Sequence, residues 1–292
     1  MPERIHFQDQ INRNKRKSFF LMMIIFIFII AFGYVISYAF SPAYFSMIMI
    51  LAVIFSIGYI LISYYNSDKI ALMSVGAKEA KRSEYKQYYD VVEGLTIASG
   101  TPMPKLYVMN SEQINAFASG RNPKNSVICV TTGTLNKLDK NELEGVIAHE
   151  LSHISNFDIR FMTLTAVMVG MISIISQVFI RSFRFNNSDR DDKKSSIFIL
   201  AGLILAILAP IVVFFVQMAI SRKREFTADA TAVKITRYPV GLIKALKKIK
   251  EENHSEKRIN KAVAPLFFAD PFVNLTSTHP PIEKRIEVLE RM

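Results

Sequence analysis

The stretch Ala148-His149-Glu150-Leu151-Ser152-His153 carries two histidines four residues apart. On an α-helix, His149 and His153 therefore lie one above the other on the same face. Two imidazoles so arranged can bind one Zn²⁺ ion, and Glu150 projects from nearly the same side, where it can accept a proton from a water on the metal. The pattern predicts a zinc site with its own general base, provided that the stretch is helical and a third ligand exists.

The residues around this stretch predict the required helix. Asp139 suits an N-cap position, and Glu142, three residues later, completes a capping-box pattern. An apolar face follows at helical spacing, formed by Leu143, Val146, Ile147, Leu151 and Ile154. No proline occurs from Lys140 to beyond Arg181, so we expect this helix to run on into an apolar run over residues 161–180.

A second stretch, residues 225–229, predicts the remaining parts of the site. A catalytic zinc site has three protein ligands and one open position. Glu225 suits the third ligand, and Asp229, one helical turn further on, suits an acceptor for the free N–H of a ligand histidine. The alternative is that Glu225 merely forms ion pairs with Arg222 or Arg224.

Composition points to a membrane. Half of the residues are hydrophobic, which is a high share for a soluble protein. The net charge of +11 fits basic flanks beside anionic lipid, and we expect no nucleic-acid partner. The single cysteine, Cys129, lies in an apolar run, allows no internal disulfide, and is predicted to be a core residue in a reducing compartment.

Two apolar runs near the start predict a transmembrane hairpin over residues 19–65, after a cytoplasmic N-terminal segment over residues 1–18. Each run is long enough to cross about 30 Å of hydrocarbon as a helix. Both outer ends are predicted to lie in the cytoplasm, because basic residues flank the hairpin: Arg13, Lys15, Arg16 and Lys17 before it, and Lys69, Lys78, Lys81 and Arg82 after it.

A second hydrophobic hairpin is predicted over residues 161–220, with two spans. The polar segment between its two runs carries Arg181, Arg184, Arg190, Lys193 and Lys194, which disfavours export of that segment. A hairpin that enters the bilayer without crossing it is therefore the alternative. The two cytoplasmic parts of the functional domain are then residues 66–160, with the histidine helix, and residues 221–292, with Glu225.

The predicted fold is mainly α with a small β-sheet. A helix over residues 76–95 precedes three β-like pieces over 105–109, 114–118 and 126–131, with residues 120–123 as the turn between the last two. Asn115 lies in the candidate edge strand, whose backbone can pair with an extended polypeptide substrate. The alternative is a plain hairpin with no role in binding.

Thr278-His279-Pro280-Pro281 is predicted to begin the last helix, since prolines are tolerated in a first turn. His279 is a candidate donor for stabilising the oxyanion of a tetrahedral intermediate. Its alternative is a helix-start residue with no chemical role.

The chain resembles the HtpX family of membrane-bound zinc metallopeptidases, relatives of the CAAX prenyl-protein proteases. The resemblance covers essentially the whole length. It rests on the two N-terminal apolar runs, Asn115-Ala116-Phe117-Ala118, His149-Glu150-Leu151-Ser152-His153, residues 221–229, and Thr278-His279-Pro280-Pro281-Ile282-Glu283-Lys284-Arg285-Ile286.

The resemblance implies a gluzincin-type metallopeptidase domain facing the cytoplasm at a bacterial inner membrane. It implies that His149, His153 and Glu225 bind one Zn²⁺ per chain and that Glu150 is the catalytic base. The implied activity is hydrolysis of peptide bonds in misfolded or damaged membrane proteins.

Two other functions fit parts of the pattern. A CAAX-type prenyl-protein protease uses similar zinc residues, but more membrane spans are expected there, and this chain has at most four. A non-catalytic membrane adaptor with a structural zinc needs a fourth protein ligand, usually Cys. Cys129 lies in a predicted strand core, which disfavours that role.

Overall fold

The computed structural model describes residues 7–39, 42–166, 222–252, 266–269 and 280–292. Helices dominate this part of the chain, and residues 158–166 are helical as well. The other helices are α1 (Phe7–Ala39), α2 (Phe45–Tyr65), α3 (Ser67–Ser74), α4 (Lys86–Ser99), α5 (Thr132–Lys137), α6 (Lys140–Ser155), α7 (Arg222–Thr236), α8 (Pro239–Glu252) and α9 (Ile282–Leu289). Most of the second predicted hairpin, residues 167–220, lies outside the described residues, as does His279.

A small sheet is present, as predicted, but it is mixed and has four strands rather than the three that the sequence predicts. Its strands are β1 (Lys78–Glu79), β2 (Lys105–Met109), β3 (Ala116–Asn122) and β4 (Asn125–Thr131), in the order β1-β2-β4-β3. β2 and β4 are parallel, whereas the two outer pairs are antiparallel. The turn between β3 and β4 lies at 122–125 rather than at the predicted 120–123, because Gly120 continues the strand at φ +140° with Asn125 pressed against it.

The helix predicted over residues 76–95 is wrong in its first half. Gly76 adopts a left-handed conformation just after α3, and Lys78 and Glu79 then pair with β2 as a short edge strand. α4 starts only at Lys86, and it ends before Gly100, whose left-handed conformation is a common helix stop.

Helix α6 forms the centre of the core. The predicted capping box is present, because Asp139 accepts from the Glu142 backbone N–H at 2.9 Å and Glu142 accepts from the Asp139 N–H at 2.8 Å. The predicted apolar face of α6 is buried between the sheet and helices α4, α7 and α8. Close approach of α8 requires Gly145, since a Cβ there would lie 2.8 Å from the Leu242 Cα.

The predicted continuation of α6 into the next apolar run is wrong. α6 ends at Ser155, and Phe157 has a left-handed backbone with φ of 59°. That conformation costs a non-glycine residue about 1–2 kcal/mol, and a new helical segment starts at Asp158. The sequence signal is Asn156-Phe157-Asp158, since Asn and Asp favour turns and helix starts.

The helices α1 and α2 pack against each other as a hairpin. A Cβ at Gly33 would lie only 2.5 Å from the Ala52 Cβ, so the two backbones approach closely there. Large apolar side chains cover the outside of both helices; Phe20 is 57% exposed and Phe55 is 63% exposed. By length and composition, one helix among the described residues, α2, meets the criteria for a membrane span.

Candidate metal centre

Three side chains from two helices converge at one buried point. One ligand atom from each of His149, His153 and Glu225 lies within 4.8 Å of the other two. His149 Nε2 and His153 Nε2 are 3.1 Å apart, and they lie 3.4 and 3.7 Å from the two carboxylate oxygens of Glu225. The structure therefore places together the three residues that the sequence proposes as ligands.

These separations suit a zinc ion. Bonds of about 2.0–2.1 Å from Zn²⁺ to nitrogen or oxygen place two ligand atoms of a tetrahedron about 3.4 Å apart. The observed values of 3.1, 3.4 and 3.7 Å fall around that distance. Two imidazoles and a carboxylate are also a donor set of catalytic zinc sites, which keep a fourth position open. The residues present fit the ion.

Asp229 holds the His149 ring from behind. Its Oδ1 lies 2.8 Å from His149 Nδ1, which is the place that the sequence proposes for it. Arg285 of α9 donates to both carboxylate oxygens of Asp229, from Nη2 at 2.7 Å and from Nε at 2.9 Å. The ring is thereby oriented with Nε2 toward Glu225, as carboxylates behind ligand histidines do in metal sites.

Burial and ion pairing compete in this cluster. Burial alone would raise the pKa of Asp229, but the charges of Arg285 and His149 hold it below its ordinary value. Burial alone would lower the pKa of His149, yet its hydrogen bonds to Asp229 and Glu225 raise that pKa to about 9. Neither charge is isolated in the interior, which is the condition for burying it.

His153 has a carboxylate behind it as well, which sequence reasoning missed. Asp158 Oδ2 lies 3.1 Å from His153 Nδ1, and Asp158 is fully buried. In an unbroken helix, a residue five positions on lies about 140° around the axis, out of reach of His153. The turn at Phe157 is what places the Asp158 carboxylate next to His153. The turn-forming residues Asn156 and Asp158 were therefore the sequence signal from which this contact could have been predicted.

Glu150 lies beside the ligands and is almost fully buried. Burial raises the pKa of Glu150, against the charges of His149 and His153 and a hydrogen bond to the backbone of Ala118. Its Oε1 has no hydrogen-bond partner among the described residues. A carboxylate whose pKa is raised is better suited to take up a proton and return it than an ordinary exposed one.

The edge of the sheet at β3 is occupied by residues 266–269. Phe268 N donates to Ala116 O at 2.8 Å, as a paired strand would. The Asn115 side chain donates to Ala269 O at 2.9 Å and accepts from Ala269 N at 3.1 Å. The predicted edge strand exists, and in this structure a segment of the same chain uses its hydrogen-bonding groups.

The family follows from comparison with known proteins. Residues 82–292 match the description "Peptidase family M48", and this part includes the histidine helix and Glu225. The chain belongs to peptidase family M48.

The relatives of this M48 chain extend over nearly its full length. It is 43% identical over 290 residues to "Protease HtpX homolog" of Dictyoglomus thermophilum, covering 98% of this chain and 95% of the relative. Proteins of the same description share 42% identity in Caldanaerobacter subterraneus (96% of this chain, 95% of the relative) and 38% in Listeria monocytogenes (97% and 99%). The resemblance to the HtpX family is confirmed.

The fold of the M48 chain also has a solved counterpart. "Crystal Structure of S. mikatae Ste24p" matches with a TM-score of 0.51 and 20% identity, covering 95% of this chain. The chain spans 65% of the length of that protein, and the likeness concerns the fold alone.

Proposed function

We propose that this chain is a zinc-dependent endopeptidase in which His149, His153 and Glu225 bind one Zn²⁺ and Glu150 is the general base. The observation that carries the proposal is the buried convergence of the three ligands at zinc-compatible distances beside Glu150. Within the described residues the cluster has three ligands, whereas a structural zinc site commonly has four. Membership of an M48 peptidase family supports the same reading.

The residues of the chain divide the chemistry between them. When bound, Zn²⁺ polarises the scissile carbonyl and lowers the pKa of a water molecule toward 7. Glu150 accepts the proton of the attacking water and returns it to the leaving amine. Asp229 and Asp158 hold the two Nδ1 protons, which leaves both Nε2 atoms available as ligand atoms. No covalent acyl-enzyme is formed in this scheme.

The test compares Glu150→Gln with wild type in detergent, measuring zinc content and cleavage of a membrane-protein substrate. We expect the variant to keep about one zinc per chain. Its cleavage rate should fall roughly 10²–10⁴-fold, which is the usual contribution of a general base. A chelator should abolish cleavage by wild type. Cleavage at the wild-type rate by a zinc-containing Glu150→Gln protein would contradict the role of Glu150 as general base.

Glu144→Gln is the matched control. Glu144 is on the same helix, but it faces the surface and pairs with Lys140 at 3.7 Å. The same chemical change there should leave both zinc content and cleavage rate within about twofold of wild type, because surface ion pairs contribute little.

We further propose that the substrate binds as an extended chain along β3. The Ala116 carbonyl and the Asn115 amide bond to the main chain of Phe268 and Ala269, and any extended peptide offers the same groups. In this proposal, a substrate strand takes the place of residues 266–269 at the edge.

Membrane insertion of α1 and α2 is the third part of the proposal. Both helices expose many large apolar side chains, and so large an apolar surface is unfavourable in contact with water. In a bilayer the same side chains contact lipid chains instead. The basic cluster in residues 13–17 is then cytoplasmic. Asn14, inside that cluster, touches Asp158 of the candidate centre, which supports a cytoplasmic active site.

Introduced cysteines test this topology, since the native Cys129 is fully buried. Lys124→Cys, in the exposed β3–β4 turn, should react with a membrane-impermeant thiol reagent only after the inner membrane is disrupted. Tyr44→Cys, between α1 and α2, should react in intact spheroplasts. The reverse pattern would contradict the cytoplasmic orientation.

A centre held beside the bilayer favours substrates that emerge from it, such as misfolded membrane proteins. In liposomes, a substrate anchored by its own transmembrane helix should be cleaved faster than the same segment supplied as a free peptide. Equal rates at equal total concentration would contradict this preference, while leaving the zinc chemistry untouched.

A further inference from the structure

Asn14 of α1 reaches the candidate metal centre from the other end of the chain. Its side-chain Nδ2 donates one hydrogen bond to Asp158 Oδ1 at 2.7 Å and another to the Asn156 carbonyl at 3.0 Å. An amide nitrogen has two N–H groups, so both donors are used. Asn14 is 4% exposed, although it lies in the basic, polar part of α1 that precedes the apolar run.

Asp158 connects this amide to a ligand. One of its carboxylate oxygens accepts from Asn14, and the other lies 3.1 Å from His153 Nδ1. With a separate partner on each oxygen, the carboxylate cannot rotate without breaking a buried hydrogen bond, which is unfavourable because a buried polar group is then left without its partner. The plane of the carboxylate, and with it the direction of the His153 ring, is therefore set partly by Asn14.

Neighbouring residues hold the same contact. Lys15 Nζ lies 4.7 Å from the centroid of the Phe157 ring, at the turn that presents Asp158. Arg160 donates to the Lys15 carbonyl at 3.5 Å. Arg224 Nε lies 3.5 Å from Asp158 Oδ1 and adds positive charge beside the buried carboxylate. The first turns of α1 thus dock on the turn at 156–160.

We infer that Asn14 is a positioning residue for the metal centre, acting through Asp158 on His153. The inference rests on the zinc site proposed above. It makes the first helix part of the centre rather than an anchor alone. Asn14 precedes the apolar run that starts at Phe19 by five residues, about 8 Å of helix, so the same contact sets the height of the centre above the bilayer.

The primary measurement is zinc affinity of the full chain in detergent, by competition with a chromophoric chelator. We expect Asn14→Ala to bind zinc about tenfold more weakly, at the lower end of the 10–100-fold loss typical of groups behind metal ligands. Asn14→Asp keeps the side-chain shape but sets a second carboxylate against Asp158, and its loss should be larger.

Ser18→Ala is the matched control. Ser18 is one turn along the same helix and fully buried, but its hydroxyl bonds only to the Asn14 carbonyl among the contacts observed. Its zinc affinity should stay within about twofold of wild type. A loss equal to that of Asn14→Ala would show general disturbance of α1 and overturn the inference.

Two further readouts separate positioning from packing. The visible absorption spectrum of the Co²⁺-substituted protein reports ligand geometry, and it should change in Asn14→Ala but not in Ser18→Ala. Adding Asn14→Ala to Asp158→Ala should weaken zinc binding less than twofold further, since coupled residues are not additive. A further tenfold loss of zinc affinity in the double variant would show that Asn14 does not act through Asp158.

The outcomes distinguish this inference from the proposed function. If wild type binds no zinc, the metal centre itself is wrong. If wild type binds zinc and both Asn14 variants match its affinity and Co²⁺ spectrum, only the role of Asn14 is overturned. If Asn14→Ala does not fold, the shape-conserving Asn14→Asp supplies the same comparison.

Discussion

Asp229 Oδ1 lies 2.8 Å from His149 Nδ1, and the same carboxylate takes two hydrogen bonds from Arg285. His149 Nδ1 therefore faces Asp229, with Arg285 Nη2 at the longer distance of 3.3 Å, and its Nε2 faces Glu225. Carboxylates in this place increase the basicity of the ring and fix its tautomer. Zinc affinity should therefore depend on Asp229, which lies one helical turn after the third ligand, Glu225.

Asp229→Asn should weaken zinc binding by about 10–100-fold. The amide removes the negative charge behind His149 and turns an N–H toward either His149 or Arg285, where an acceptor is needed. Chelator competition on the purified protein measures the effect. Asp90→Asn, a change at an exposed carboxylate 3.6 Å from Arg82, should leave the affinity unchanged. Equal affinities for Asp229→Asn and wild type would contradict the positioning of His149.

Arg285→Met should destabilise the metal-free protein by about 3–5 kcal/mol, because it leaves the Asp229 charge buried with its main partner removed. Arg285 is 1% exposed, so water cannot replace it. Thermal or urea unfolding in detergent measures the loss. Arg291→Met removes an exposed ion pair with Glu287 and should cost less than about 1 kcal/mol. Similar losses in both variants would contradict the buried pair.

Much of this centre could be predicted from local sequence. The spacing of His149 and His153, the capping box at Asp139 and the Glu-x-x-x-Asp stretch each act within one helix, where periodicity fixes geometry. Each of these expectations has its counterpart in the structure. The strands β2 and β4 were predicted for the same reason, since short apolar runs between turn residues form them.

The partners that come from elsewhere in the chain could not be predicted in the same way. Asp158 depends on a left-handed turn at Phe157, a residue type that rarely adopts it. Asn14 bonds to a residue 144 positions away, and Arg285 to one 56 positions away. Only tertiary packing brings such pairs together, and a single polar residue carries no periodic signal of its partner.

Asn115→Ala should raise KM by about tenfold and change kcat by less than about threefold, since it removes main-chain recognition shared by substrate and transition state. Zinc content should stay at the wild-type level, because Asn115 bonds to Ala269 and not to a ligand. Steady-state cleavage of a peptide substrate gives both constants. Asn110→Ala, at an exposed position, is the control; an unchanged KM for Asn115→Ala would contradict binding along β3.

Two glycines on helices should respond oppositely to alanine. In Gly145→Ala the new Cβ would meet the Leu242 backbone at 2.7–2.8 Å, so α6 and α8 must separate, at a cost of about 1–3 kcal/mol. In Gly94→Ala the exposed Cβ meets nothing within 4 Å, and the variant should gain about 0.5–1 kcal/mol of helix stability. Unfolding midpoints measure both; a stabilised Gly145→Ala would contradict the close helix packing.

Cys129 should be inert in the folded protein. It is fully buried in β4, and burial raises the pKa of its thiol well above the ordinary value, so the reactive thiolate is scarce at neutral pH. Iodoacetamide should modify one thiol per chain only in denaturant, whereas Lys124→Cys should gain a second thiol that reacts at once in the native state. Because no step of the proposed chemistry uses a thiol, peptidase activity should survive the native treatment. Rapid labelling of Cys129 in the native state would contradict its burial in β4. Loss of peptidase activity on that labelling would contradict a mechanism that uses Glu150 and no thiol.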